Sequence, residues 1–102
     1  MRLGFDDENN QHQVETNNII KFHGHLYVIV STKFAQIQDN MMGVSQLFEV
    51  DINNNMARPV YRILIGANGA RTPESVTDED WEEIYDDEPV GKGLKYAISR
   101  SR

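Results

Sequence analysis

The only closely spaced histidines in the chain are His23 and His25, separated by Gly24. Two imidazoles at i and i+2 on a strand share a face and can hold a metal ion. Such a site needs a third ligand nearby, and Leu26 to Val30 offer no acid. Gly24 also suits a turn, which would aim the two rings apart. We therefore read them as turn-flanking histidines and expect no metal site. A metal-dependent enzyme built on His23 and His25 is the weakest of three functional readings.

Other loops fail more quickly. Asp51-Ile52-Asn53-Asn54-Asn55 opens like a calcium-binding loop, but Met56 stands where that loop needs Gly and Arg62 where it needs Glu. Asp78, Asp80 and Glu82 fail the same test at Glu83 and Pro89. Gly91-Lys92-Gly93 lacks the first glycine and the hydroxyl of a phosphate loop, and no G-x-S-x-G serine is present. No residue set qualifies as catalytic, no cofactor motif appears, and the expectation is a protein that is not an enzyme.

One stretch stands out by charge. From Asp78 to Glu88, eight of eleven residues are acidic, half of the sixteen acids in the chain. Thr77 offers a hydroxyl cap with Asp80 three residues on, and Trp81, Ile84 and Tyr85 recur at i, i+3 and i+4. The spacing predicts a helix over about 77–87, ended by Pro89. At ~100° per residue, Glu79, Asp80, Glu82, Glu83, Asp86 and Asp87 would share the arc opposite Trp81. A solvated face that merely keeps the protein soluble, or one folded against the basic tail of Lys92, Lys95, Arg100 and Arg102, is the plainer account. The sharper one is an electrostatic docking surface for a basic protein.

Composition sets the limits. The chain has 102 residues, enough for one small domain, and a formal charge of −6. That balance argues against direct binding to a nucleic-acid backbone. With no cysteine there is no disulfide scaffold, thiolate zinc site or thiol nucleophile. Leu26 to Val30 is the longest apolar run, far too short to cross a bilayer, and no signal peptide is evident. A cytoplasmic protein without membrane contact is expected.

The elements that must carry these residues read as mostly β. Residues 1–18 are polar and are expected to form a mobile arm. Residues 19–102 are expected to form one β-rich domain. Ile19 to Phe22 and His25 to Val30 read as a hairpin about His23-Gly24. That pattern continues through Phe34 and Ile37. Met41 to Gly43 read as a loop, and Ser45 to Ile52, Val60 to Ile65 and Leu94 to Ile98 as further strands. The fold class is α+β, mainly β: a small antiparallel sheet or SH3-like barrel of four to five strands with one short C-terminal acidic helix. Val28, Val30, Phe48, Ile63 and Trp81 are the expected core.

The leading functional expectation is a small, acidic, non-enzymatic interaction protein. It would present Glu79, Asp80, Glu82, Glu83, Asp86 and Asp87 to a basic protein surface, with Trp81 and Tyr85 as anchors. A nucleic-acid-mimicking inhibitor from a mobile element is one concrete form. The alternative is a small β-barrel module binding peptide or nucleic acid through Tyr27, Phe34, Phe48 and Tyr61, with Lys21, Lys33, Arg58 and Arg62 nearby in sequence.

Overall fold

The computed structural model describes residues 2–15, 19–76, 79–85 and 87–100. The strands are β1 (Arg2–Phe5), β2 (Gln11–Val14), β3 (Ile20–Phe22), β4 (His25–Gln38), β5 (Met41–Asp51), β6 (Met56–Gly66), β7 (Arg71–Ser75) and β8 (Glu82–Glu83). One helix follows, α1 (Pro89–Arg100). The fold is mainly β with one C-terminal helix.

β4, β5 and β6 form a long antiparallel meander. Each outer edge is shared by two short strands. β3 pairs with the first residues of β4 and β2 with its middle, while β8 pairs with the start of β6 and β7 with its second half. β1 lies outside β2. The order β1-β2-β4-β5-β6-β7 does not close on itself, so the sheet is open among the described residues and the expected SH3-like barrel is not formed.

Turn chemistry fixes the meander. His23 and Gly24 both have positive φ, as do Asp39 and Asn40, the pattern of two-residue hairpins whose twist matches the flanking strands. The first of these hairpins is the one expected from sequence. The second lies two residues before the expected loop, because Asp39-Asn40 tolerate the left-handed region and Met41 to Gly43 join β5.

One face of the sheet carries the core. Leu26, Val28 and Val30 alternate along β4, opposite Val50, Phe48 and Gln46 of β5, and α1 packs over them through Leu94, Ala97 and Ile98. Val14, Ala57 and Ile84 complete the buried cluster. Val28 and Val30 are buried as expected, whereas Phe48, Ile63 and Trp81 are only half-buried. Register explains Ile63: it pairs with Ser45 and Pro73 on the face away from α1.

Three sequence expectations need correction. Within the expected arm, Arg2–Phe5 and Gln11–Val14 form β1 and β2, because Val14 is wholly buried beside Val30 and Leu3 packs on the core. The helix expected over 77–87 is absent among the described residues 79–85. There the chain runs extended, and Glu82 and Glu83 pair with Ala57 and Met56. Extension spaces like charges by ~3.3 Å per residue instead of ~1.5 Å, which eases the repulsion a helix would impose.

The helix instead covers the expected last strand. Leu94, Tyr96 and Ile98 alternate, but Val90, Leu94, Ala97 and Ile98 also fall at helical spacing, and the latter pattern wins. Pro89 suits the first helical position. Glycine is required inside the helix at Gly91, where a Cβ would stand 1.7 Å from the Tyr85 carbonyl oxygen.

Candidate functional site

The acidic segment lies along the outer edge of β6. Glu79, Asp80, Glu82, Glu83 and Asp87 are all exposed, and Asp86 lies outside the described residues. The segment is pinned on both faces of the sheet. Ile84 turns inward, 4% exposed, among the core residues, and its amide donates to the Asn55 carbonyl at 3.0 Å. Trp81 turns to the opposite face. There the Arg58 guanidinium lies 4.4 Å from its ring centre and the His25 ring meets it edge-on at 5.7 Å.

Beneath Trp81 is a polar cluster that the sequence did not announce. Glu49 is nearly buried on the face away from α1. One carboxylate oxygen accepts from Tyr27 Oη at 2.9 Å and meets His25 Nδ1 at 3.2 Å. The other accepts from Arg58 Nε and Nη2, each at 2.9 Å. Burial pushes the Glu49 carboxyl up, but donation from Tyr27, Arg58 and His25 outweighs it, so the group sits below the usual carboxylate range. The hydrogen bond to Glu49 raises the Tyr27 phenol in turn. Glu49 thus orients Arg58, and Arg58 holds Trp81, so the acidic segment is anchored through a chain of charge and ring contacts. The pairings are legible in the register, where Tyr27, Glu49 and Arg58 stand directly opposite on three strands.

A second network ties the opposite end of the chain to β4. His12 is buried, with Nδ1 2.8 Å from Thr32 Oγ1 and Nε2 2.9 Å from Asp6 Oδ2. The Asp6 carboxylate also accepts from the Glu8 and Asn10 amides, each at 2.9 Å. The His12 contact is the main reason its pKa is held down to about 2. Thr32, His12 and Asp6 are in the order of a nucleophile, base and orienting acid. Thr32 is only 8% exposed, however, which makes the trio a clamp on the β1–β2 hairpin.

The clamp has a consequence for the acidic surface. Asp6, Asp7 and Glu8 in the β1–β2 turn line one cleft together with Asp87 and Glu88 before α1, and Phe5, Pro89 and Val90 give it an apolar part. Three carboxylates far away in sequence, Asp6, Asp7 and Glu8, therefore join the acidic run. Polar residues 6–8 were read as part of a loose arm, and only the pairing of β1 and β2 shows where they go.

The remaining sequence candidates are dispersed. His23 sits in the hairpin turn against Phe22, while His25 belongs to the Glu49 cluster. Among the described residues no three His, Asp or Glu side chains gather as metal ligands. Tyr27 is engaged with Glu49, Phe48 faces α1, and Tyr61 lies on the opposite face, so Tyr27, Phe34, Phe48 and Tyr61 do not form one aromatic platform. Arg62 is paired with Glu74 at 2.7 Å. Among the described residues no helix is long and apolar enough to cross a membrane. Comparison with protein-family models, with curated proteins and with solved structures gave no match.

Proposed function

We propose that the chain is a non-enzymatic interaction protein that offers its carboxylate-rich segment to a basic protein surface. The observation that carries this reading is the mounting of the acids. Trp81 and Ile84 hold opposite sides of the segment, while Glu79, Asp80, Glu82 and Glu83 stay exposed. A charge run kept only for solubility needs no such anchorage. The cleft formed by Asp6, Asp7, Glu8, Asp87 and Glu88 continues the same negative surface. Tyr85, 54% exposed beside it, supplies an aromatic contact for the partner. The positive groove by which another protein holds nucleic acid is one surface of matching charge, and occupying it would block that protein.

Such a surface speeds encounter and sets salt dependence more than it sets final affinity. The test is capture of a partner from a cell lysate over a salt series, followed by titration of the purified partner. Native protein should bind less tightly toward physiological salt, where the screening length shortens to ~8 Å. A variant with Glu79→Lys, Asp80→Lys, Glu82→Lys and Glu83→Lys should keep its fold, since none of these side chains is buried, and should lose at least tenfold in affinity. Salt-independent binding, unchanged in this variant, would reject the proposal.

A further inference from the structure

The face of the sheet away from α1 carries a feature of opposite character, independent of the acidic segment. Register places Gln11, Lys33, Gly43, Ile65 and Arg71 in one row across five strands. The next row runs Gln13, Ser31, Ser45 and Ile63. Successive side chains on a strand alternate faces, so both rows point to the same side. The residues at the centre are small and those at the margins long. That contrast leaves a cavity of about 380 Å³, floored by Gly43 and the Ser31–Ser45 hydroxyl pair, 2.9 Å apart. Its size falls within the ~300–1,000 Å³ typical of small-molecule sites.

The lining is chemically specific. In a protein of net charge −6, the cavity gathers two cations, Lys33 and Arg71, against one carboxylate, Glu15. Among the described residues neither cation has an ion-pair or hydrogen-bond partner, and neither do the side-chain amides of Gln11 and Gln13. The two arginines of β6, Arg58 and Arg62, are by contrast both paired with glutamates. Arg71 and Lys33 approach from opposite margins, across the side-chain-free position of Gly43. Guanidinium and ammonium groups recognise oxyanions, and amides, hydroxyls and a carboxylate suit the hydroxyls of a polyol. No aromatic ring lines the cavity, so nothing there would stack a nucleobase.

We infer that this cavity binds a small polyhydroxylated anion, a sugar phosphate or sugar acid, with Lys33 and Arg71 on the anionic group. The experiment is a titration of isotope-labelled full-length protein, followed by amide chemical shifts. The probes are glucose 6-phosphate, gluconate, inorganic phosphate and glucose. Saturable shifts at Gln11, Ser31, Lys33, Ser45 and Arg71 with glucose 6-phosphate or gluconate are expected, and the stronger of the two identifies the anionic group.

Inorganic phosphate and glucose should each bind at least tenfold more weakly, since each lacks half of the recognised chemistry. Lys33→Ala and Arg71→Ala should each weaken the better probe about tenfold without unfolding the protein, because both side chains are exposed. Ser45→Leu should do the same by filling the floor while leaving both cations. Shifts scattered over all Lys and Arg residues would overturn the inference. So would equal binding of inorganic phosphate, or an unaffected Ser45→Leu variant. A saturable footprint from a short single-stranded oligonucleotide, tighter than either sugar probe and reaching Tyr61, would overturn it in favour of a macromolecular ligand.

Discussion

Glu49→Ala tests the anchorage most sharply. The Glu49 side chain is 12% exposed and loses contacts to Tyr27, His25 and Arg58 on truncation. Removing one partner of a fully buried ion pair costs ~3–5 kcal/mol. Arg58 and His25 are 38% and 36% exposed, so water recovers part of what they lose. We expect a cost of about 2–3 kcal/mol, with Glu49→Gln at roughly half of that, since its carbonyl still accepts one hydrogen bond. For a domain of this size ~1 kcal/mol moves Tm by ~4–8 °C, so the Ala variant should melt some 10–20 °C lower.

The local effect is as diagnostic as the global one. Arg58 released from Glu49 no longer holds its place over Trp81, an interaction worth ~0.5–1 kcal/mol. Trp81 is the only tryptophan, so its emission reports this segment alone. The folded Ala variant should therefore emit to the red of native protein, before any unfolding. Urea denaturation read by both fluorescence and far-UV circular dichroism is the assay. A stability change under ~0.5 kcal/mol with unshifted emission would refute the relay from Glu49 to Trp81.

Three further expectations follow from the same structure. Asp6 has its pKa depressed to about 2 from the ordinary 3.8, and Glu49 and Asp51 are shifted the same way. Their contribution to stability is full above the unfolded pKa values and is lost as pH falls through about 4 to 2. Denaturation midpoints across that range should drop steeply, and less so in Asp6→Asn. Gly91→Ala should cost at least the ~1–3 kcal/mol of overpacking, because its Cβ would meet the Tyr85 backbone oxygen at 1.7 Å. Gly93→Ala presses on the end of the Leu3 side chain and otherwise meets Val14 Cβ at an ordinary 3.4 Å, so it should cost less in the same melts. Val28→Ala, at a wholly buried position, should cost about 2 kcal/mol and half-buried Ile63→Ala distinctly less; equal costs would show that the outer face is packed too.

The sequence carried the meander because its signals were local. His23-Gly24 and the alternation from Leu26 to Val30 need nothing distant to be read. The errors came where distant partners decide. Trp81, Ile84 and Tyr85 fit a helical stripe, but the charges around them favour extension, and Ala57 with Met56 offered an edge to pair with. Leu94 to Ile98 are too few residues to separate a period of 2 from 3.6. Val14 and His12 lie in the stretch whose polar composition suggests an arm, and only β4 gives them neighbours.

Glu79, Asp80, Glu82, Glu83 and Asp87 are exposed, but without the expected helix around them. Asp6 to Glu8 joined them through a hairpin that composition does not reveal. In the alternation of Phe48, Glu49 and Val50, Glu49 falls on the outward face of its strand. That reading holds for its face, but Arg58 and Tyr27, opposite it in register, nearly bury it.

The central claim is that the acidic segment and its adjoining cleft meet a basic protein. Zero-length carboxylate-to-amine cross-linking in a native lysate, with the linked positions mapped by mass spectrometry, tests it most directly. Intermolecular links to lysines of one partner should concentrate on Glu79, Asp80, Glu82, Glu83, Asp87 and the Asp6-Asp7-Glu8 turn, and should fade from low to physiological salt. Links spread evenly over exposed acids elsewhere, such as Asp39, or a pattern unchanged by salt, would contradict the account.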